Sequence, residues 1–218
     1  MNSVFAPKFP SSKLTEAPST TRMEAFSDAI FAIIMTLLVL ELRIPEFHNP
    51  ASNAEIIHAL LKIVPNFISF GVTFLILAVF WVNHHQFFHF IKRSDRALLW
   101  LNNFLLFWLC FLPFPTAILG QHPTSTAAVM LFGAALFLAA TSFTVMSHYV
   151  YFKSHLFSDS IMLADRKAQF RRSLVGTVLY GASVVLAPVS IYISIAIFVI
   201  LPLYYFVPSL STMVRQEA

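Results

Sequence analysis

The sequence predicts an all-helical membrane bundle of six spans, with both termini on the cytoplasmic side. Three observations carry this. Hydrophobic residues make up 58% of the 218 positions and charged residues 11%, and mean hydropathy is +0.75, a balance soluble domains rarely show. The apolar residues gather into six runs, each near or above the ~20 residues a helix needs to cross a bilayer. The basic residues stand at the ends of those runs. With the N-terminus inside, all of the 14 Lys and Arg residues except Arg43 and Lys62 face the cytoplasm, as the positive-inside rule demands. An odd number of spans would destroy that asymmetry.

Taken in order, residues 1–21 are polar and rich in Pro, Ser and Thr. They lack the basic start and apolar core of a cleaved signal peptide, and they read as a mobile cytoplasmic tail. A single membrane domain over 22–210 follows, then a short cytoplasmic tail over 211–218. The first span is expected at 25–43. The second, at 56–90, is long and carries Pro65 near its start. The third, at 97–119, closes with Pro113 and Pro115. The fourth covers 127–152. The fifth, at 168–187, is the weakest, because Arg171 and Arg172 must snorkel at its start. The sixth covers 189–207 and is joined to the fifth only by the turn at Pro188, which makes the two a tight helical hairpin. There is one cysteine, Cys110. An intrachain disulfide is therefore impossible, and Cys110 reads as a small lipid- or core-facing residue.

The first span has two unlike faces. On a helix turning about 100° per residue, Phe26, Ala29, Ile33, Leu37 and Leu40 fall within about 40° of one line, and Thr36 lies about 60° to its side. Any membrane helix shows apolar residues at this spacing. The same pattern also suits a hydrophobic constriction, which gates a pore by dewetting. Asp28 projects away from the stripe. An Asp inside a span costs ~2.5–3.5 kcal/mol on insertion scales, so it faces protein or water. Two readings stand for it: a bond to a neighbouring helix, or an interfacial carboxylate reaching headgroup water.

Arg22, Phe26, Ser27 and Asp28, followed by "AIFAIIMTLLVLEL", resemble the first-helix motif of the transmembrane protein 175 family. These are the endo-lysosomal potassium channels and their bacterial relatives. "FWVNHHQFF" (80–88) is similar to the family's Trp-x-x-His segment at the end of the second span. "NNFLLFWLCFLPFPTAILG" (102–120) is similar to the third span with its Pro-Phe-Pro-Thr close. The last three runs match only in number and hydrophobicity.

The resemblance implies a potassium-favouring cation channel. A six-helix chain resembles the bacterial form, which assembles as a homotetramer, whereas animal members carry two such repeats and pair as dimers. The first helix of each repeat lines the pore, and no re-entrant carbonyl filter is present. Ile33, Leu37 and Leu40 fall on the constriction positions, and Thr36 on the position tied to potassium preference. The Phe-Ser-Asp motif joins a polar network in which Arg22, Trp81 and His84 are the candidate partners. Asp28 then anchors a pore-lining helix and does not ligate ions. The expected partners are potassium ions and the lipid bilayer, with no cofactor, and the expected location is a bacterial inner (plasma) membrane.

Other readings are weaker. "TVLYG" (177–181) superficially resembles a potassium-filter loop but lacks the central glycine that such a backbone needs, and it lies inside the fifth run. His85 and His89 share a helix face at i, i+4 and could hold a metal with His84 nearby. Histidine-box enzymes need several such clusters, and His48, His58, His122, His148 and His155 form none. The cluster can also be read as interfacial polar rings or as a proton sensor. A proton-permeable channel or a secondary transporter is the alternative function. Transporters break helices near the midplane, whereas Pro65, Pro113 and Pro115 lie near span ends. No nucleophile–base pair or acidic dyad suggests an enzyme. The charge distribution also explains the net charge of +4 without nucleic acid.

Overall fold

The computed structural model describes residues 19–43, 52–91, 93–156 and 163–216, with side chains of the last stretch described over 166–205. Residues 1–18 of the tail expected over 1–21, His48, Lys92 and the side chain of Arg215 lie outside the described residues.

The order of elements is α1 (Thr21–Leu37), a 3-10 extension (Leu38–Glu41), α2 (Asn53–Lys62), α3 (Val64–His89), α4 (Arg96–Phe111), α5 (Pro113–Gln121), α6 (Thr126–His148), a π-helical turn (Tyr149–Lys153), α7 (Leu163–Leu186) and α8 (Ile191–Gln216). Among the described residues, four stretches are long and apolar enough to cross a membrane: Thr21–Glu41, Val64–His89, Arg96–Gln121 and Thr126–Lys153. Ile191–Tyr205 is apolar but shorter. The described structure is thus all-helical. The stretch expected to be weakest, now α7, is a continuous helix that packs most extensively on α6.

Proline explains the differences from the expected elements. The run over 56–90 is two helices, because the chain leaves helical geometry at Ile63 (φ −94°, ψ 6°), just before Val64 and Pro65 open α3. Proline has no N–H and is tolerated only in a first turn. The run over 97–119 stays helical through Leu112 (φ −56°, ψ −36°) but changes its hydrogen-bond pattern there. Pro113 and Pro115 cannot donate to Leu109 and Phe111, and Leu112 N–H bonds the Leu109 carbonyl in the tighter i→i−3 pattern. The Thr116 hydroxyl then takes up the Leu112 carbonyl at 2.7 Å. At the other end of the chain, α8 runs to Gln216, past the expected end at 207.

Two glycines let helices approach closely. A Cβ on Gly120 would stand 2.6 Å from Ser69 Oγ and 2.9 Å from Asn66 Cα, so α5 lies directly on the start of α3. A buried hydroxyl pair, Thr73 and Thr116 at 3.0 Å, continues that seam. A Cβ on Gly133 would meet Ser183 Oγ at 2.8 Å, where α6 meets α7. Small residues and hydroxyls at these crossings are what helix association in lipid uses, since burial of apolar surface drives little there. The N-terminus of α4 is capped by Asp95, which accepts the Leu98 N–H at 2.7 Å and a hydrogen bond from the Tyr149 hydroxyl.

Candidate functional site: the two faces of the first helix

Helix α1 buries one face against its own chain and leaves the other uncovered. Met23, Ser27, Phe31, Ile34 and Leu38 are buried, with spacings of three and four residues. Around them lie α3 and α4, with the 3-10 extension reaching α3 and α5. Phe31 is only 1% exposed and meets the His84 ring edge-on at 5.5 Å.

The opposite face carries the residues of the apolar stripe. Phe26 is 52% exposed, Ile33 56%, Leu37 44% and Leu40 69%. Thr36 is exposed beside them, and its hydroxyl is turned back on the helix, donating to the Ile33 carbonyl at 2.8 Å. Arg22 is exposed at the N-terminal end of the same face.

Ser27 and Asp28 are neighbours in sequence, so they project about 100° apart and reach different helices. The Trp81 indole N–H of α3 donates to Asp28 Oδ1 at 2.9 Å. Asn102 of α4 donates its amide N–H to Ser27 Oγ at 2.9 Å, and the Ser27 hydroxyl donates to the Met23 carbonyl at 2.8 Å. Asn102 Oδ1 therefore faces His84 Nε2, at 2.8 Å. The direction of this chain fixes the proton of a neutral His84 on Nε2. Every donor points the same way, from His84 through Asn102 and Ser27 to the α1 backbone, and all three side chains are buried. In so dry a place each unmade bond costs ~1–3 kcal/mol.

Of the predicted site residues, the structure thus brings together Ser27 with His84, through Asn102, and Asp28 with Trp81. It does not bring the Arg22 side chain to them, since that side chain is exposed at the N-terminal end of the open face. Phe26 faces away from the polar groups, on the open side. Asn102 was not singled out in the sequence, although an amide inside an apolar run was a signal that a partner must exist. Trp81 also stacks on His85 at 5.9 Å. His85 and His89 are exposed while His84 is buried, and among the described residues no group of three or more His, Cys, Asp or Glu side chains could hold a metal. "TVLYG" lies within α7.

Comparison with known proteins places the chain. Residues 22–113 match the family model described as endosomal/lysosomal potassium channel TMEM175. A potassium channel of Streptomyces collinus is 34% identical over 188 residues, covering 84% of this chain and 90% of that protein. The crystal structure of a lysosomal potassium-selective channel TMEM175 homolog from Chamaesiphon minutus superposes with a TM-score of 0.76 at 30% identity, over 87% of this chain and 97% of that one. The human endosomal/lysosomal proton channel TMEM175 is 26% identical over 166 residues, which are 76% of this chain but 32% of the human protein. The chain belongs to the TMEM175 family.

Proposed function

We propose that the chain is one subunit of a homotetrameric, potassium-favouring cation channel of a bacterial inner membrane. Six spans place both termini in the cytoplasm. Four copies of α1 line the pore, Ile33, Leu37 and Leu40 form its constriction, and Thr36 supplies a ring of hydroxyls beside it. The observation that carries this reading is the open face of α1. A helix fastened to its own subunit by Ser27, Asp28 and Phe31 presents an apolar line, with one hydroxyl beside it, to whatever lies outside. The potassium channels of Streptomyces and Chamaesiphon support the choice of ion.

A ring of Ile and Leu side chains cannot replace an ion's hydration shell as a carbonyl filter does. Ions pass at least partly hydrated, with the cost of lost water offset in part by Thr36. Modest selectivity follows.

The test is the reversal potential of purified protein in planar bilayers under opposed potassium and sodium, then under a proton gradient. A channel of this kind reverses toward the potassium equilibrium potential, and Thr36→Ala moves it toward zero. A reversal that follows protons instead favours the alternative of a proton-permeable channel, the property that the human relative's name states. Absence of current from inserted tetramers, with solute flux in vesicles, favours the secondary transporter.

A further inference from the structure

Away from α1, the helices α3, α6, α7 and α8 enclose a slot with unlike ends. Along α3 its lining runs from Ile76 to Phe87, a rise of about 16 Å. One end is the more polar, with Asn83, Gln86, Ser147, Gln169 and Arg172 beside Phe87. The other end is walled by Ile76, Ala140 and Tyr180. The polar end lies at the C-terminal end of α3, a helix long and apolar enough to cross a membrane, and at the N-terminal end of α7.

Arg172 is held in an unusual way. Its guanidinium lies 5.4 Å from the centroid of the Tyr205 ring, and its carbonyl accepts the Tyr205 hydroxyl at 2.6 Å. The tyrosine thus fixes the residue from both ends. Among the described residues no carboxylate faces the guanidinium, whose planar fork suits a phosphate bidentately. The guanidinium is only partly exposed, with an aromatic face beside it, and an anionic headgroup would add a charge-assisted partner.

We propose that this slot binds one phospholipid with an anionic headgroup. Its phosphate sits against Arg172 and Gln169, and one acyl chain runs inward past Gly176 toward Ile76 and Tyr180. The polar-to-apolar gradient over one long, narrow cleft matches an amphiphile and not a free anion, which would leave the inner half empty. The site clamps α7 and α8 onto α3, so the lipid stabilises the half of the chain that α1 does not touch.

The test uses detergent-purified full-length protein, with bound lipid counted by native mass spectrometry and Tm followed as lipid is added. Phosphatidylglycerol is expected to bind one per chain and raise Tm more than phosphatidylcholine does. Arg172→Gln should weaken the phosphatidylglycerol effect about tenfold, the scale of one charge-assisted contact, and Arg172→Lys should keep part of it. A Cβ on Gly176 would meet only ordinary neighbours, Tyr205 Oη at 3.7 Å and Ala140 Cβ at 3.9 Å. Gly176→Ala is therefore expected to fold and bind, while Gly176→Leu fills the slot and loses the lipid. Equal effects of the two lipids, or an effect of inorganic phosphate alone, would overturn the proposal. So would phosphatidylglycerol binding that survives either Arg172→Gln or Gly176→Leu unchanged. None of these readouts depends on ion conduction, so the channel reading and the lipid site fail separately.

Discussion

The two faces of α1 are built from almost the same residue types and have opposite fates. Phe31, Ile34 and Leu38 are buried, whereas Phe26, Ile33, Leu37 and Leu40 stand open. Hydrophobicity does not separate them. The difference comes from Ser27 and Asp28, which fasten one side of the helix to α4 and α3. In a lipid setting, where apolar contact drives little association, two placed polar groups decide which side of an apolar helix is inside. The side left over is then available to other copies of the chain.

The strongest way to break this division is to remove the buried anchor. Phe31→Ala opens a cavity against His84 and should lower stability by about 3–5 kcal/mol, the range for buried aromatic truncations. Measured by thermal unfolding in detergent, Phe26→Ala on the open face should cost far less in the isolated subunit. Equal losses for the two would show that the faces are not distinct in the way the burial suggests.

Substitution of the open face tests function with little effect on the subunit itself. If the proposed constriction holds, Ile33→Asn or Leu37→Asn should wet it and raise leak current severalfold in bilayers, because a dewetted gate depends on its apolar lining. Unchanged conductance in both variants would remove these residues from the gate. The same substitutions at Ile34 or Leu38, one helical step away, should instead impair folding, since both side chains are fully packed.

Much of the architecture was legible in the sequence, for reasons that differ by element. The helix period alone set Ile33, Leu37 and Leu40 on one line and Asp28 off it, because local geometry fixes angular position. Which side of the helix would be buried was not legible from that period, since Phe31 and Ile33 are equally apolar. The break at Ile63 and the altered hydrogen bonding at Leu112 follow from Pro65, Pro113 and Pro115, and neither is visible in hydropathy, which does not register a missing N–H. Asn102 escaped notice because its role is tertiary. It bonds to residues 75 and 18 positions away, and no spacing rule reaches so far. The family resemblance implies Arg22 as a partner of Ser27 and Asp28, but the helix turns it to the open face. The slot around Arg172 is a further case: its lining is drawn from α3, α6, α7 and α8, and Arg172 in sequence reads only as a residue that must snorkel.

The smallest and most discriminating effect concerns Asp28 itself. Trp81→Phe removes the indole donor to Asp28 while keeping an aromatic ring beside His85. The pair is partly exposed, so its loss should cost the subunit only about 1 kcal/mol. Assembly is the more sensitive readout, because a helix free to rock presents its open face in many orientations and the proposed tetramer needs four such faces in register at once. Asp28→Ala and Trp81→Phe should therefore each lower the tetramer fraction in size-exclusion light scattering, and the double variant should be little worse than either alone, as expected for two partners of one bond. Additive losses would mean that Asp28 and Trp81 act separately. Intact tetramers with altered conductance would move Asp28 from the anchoring of α1 to the path of the ion.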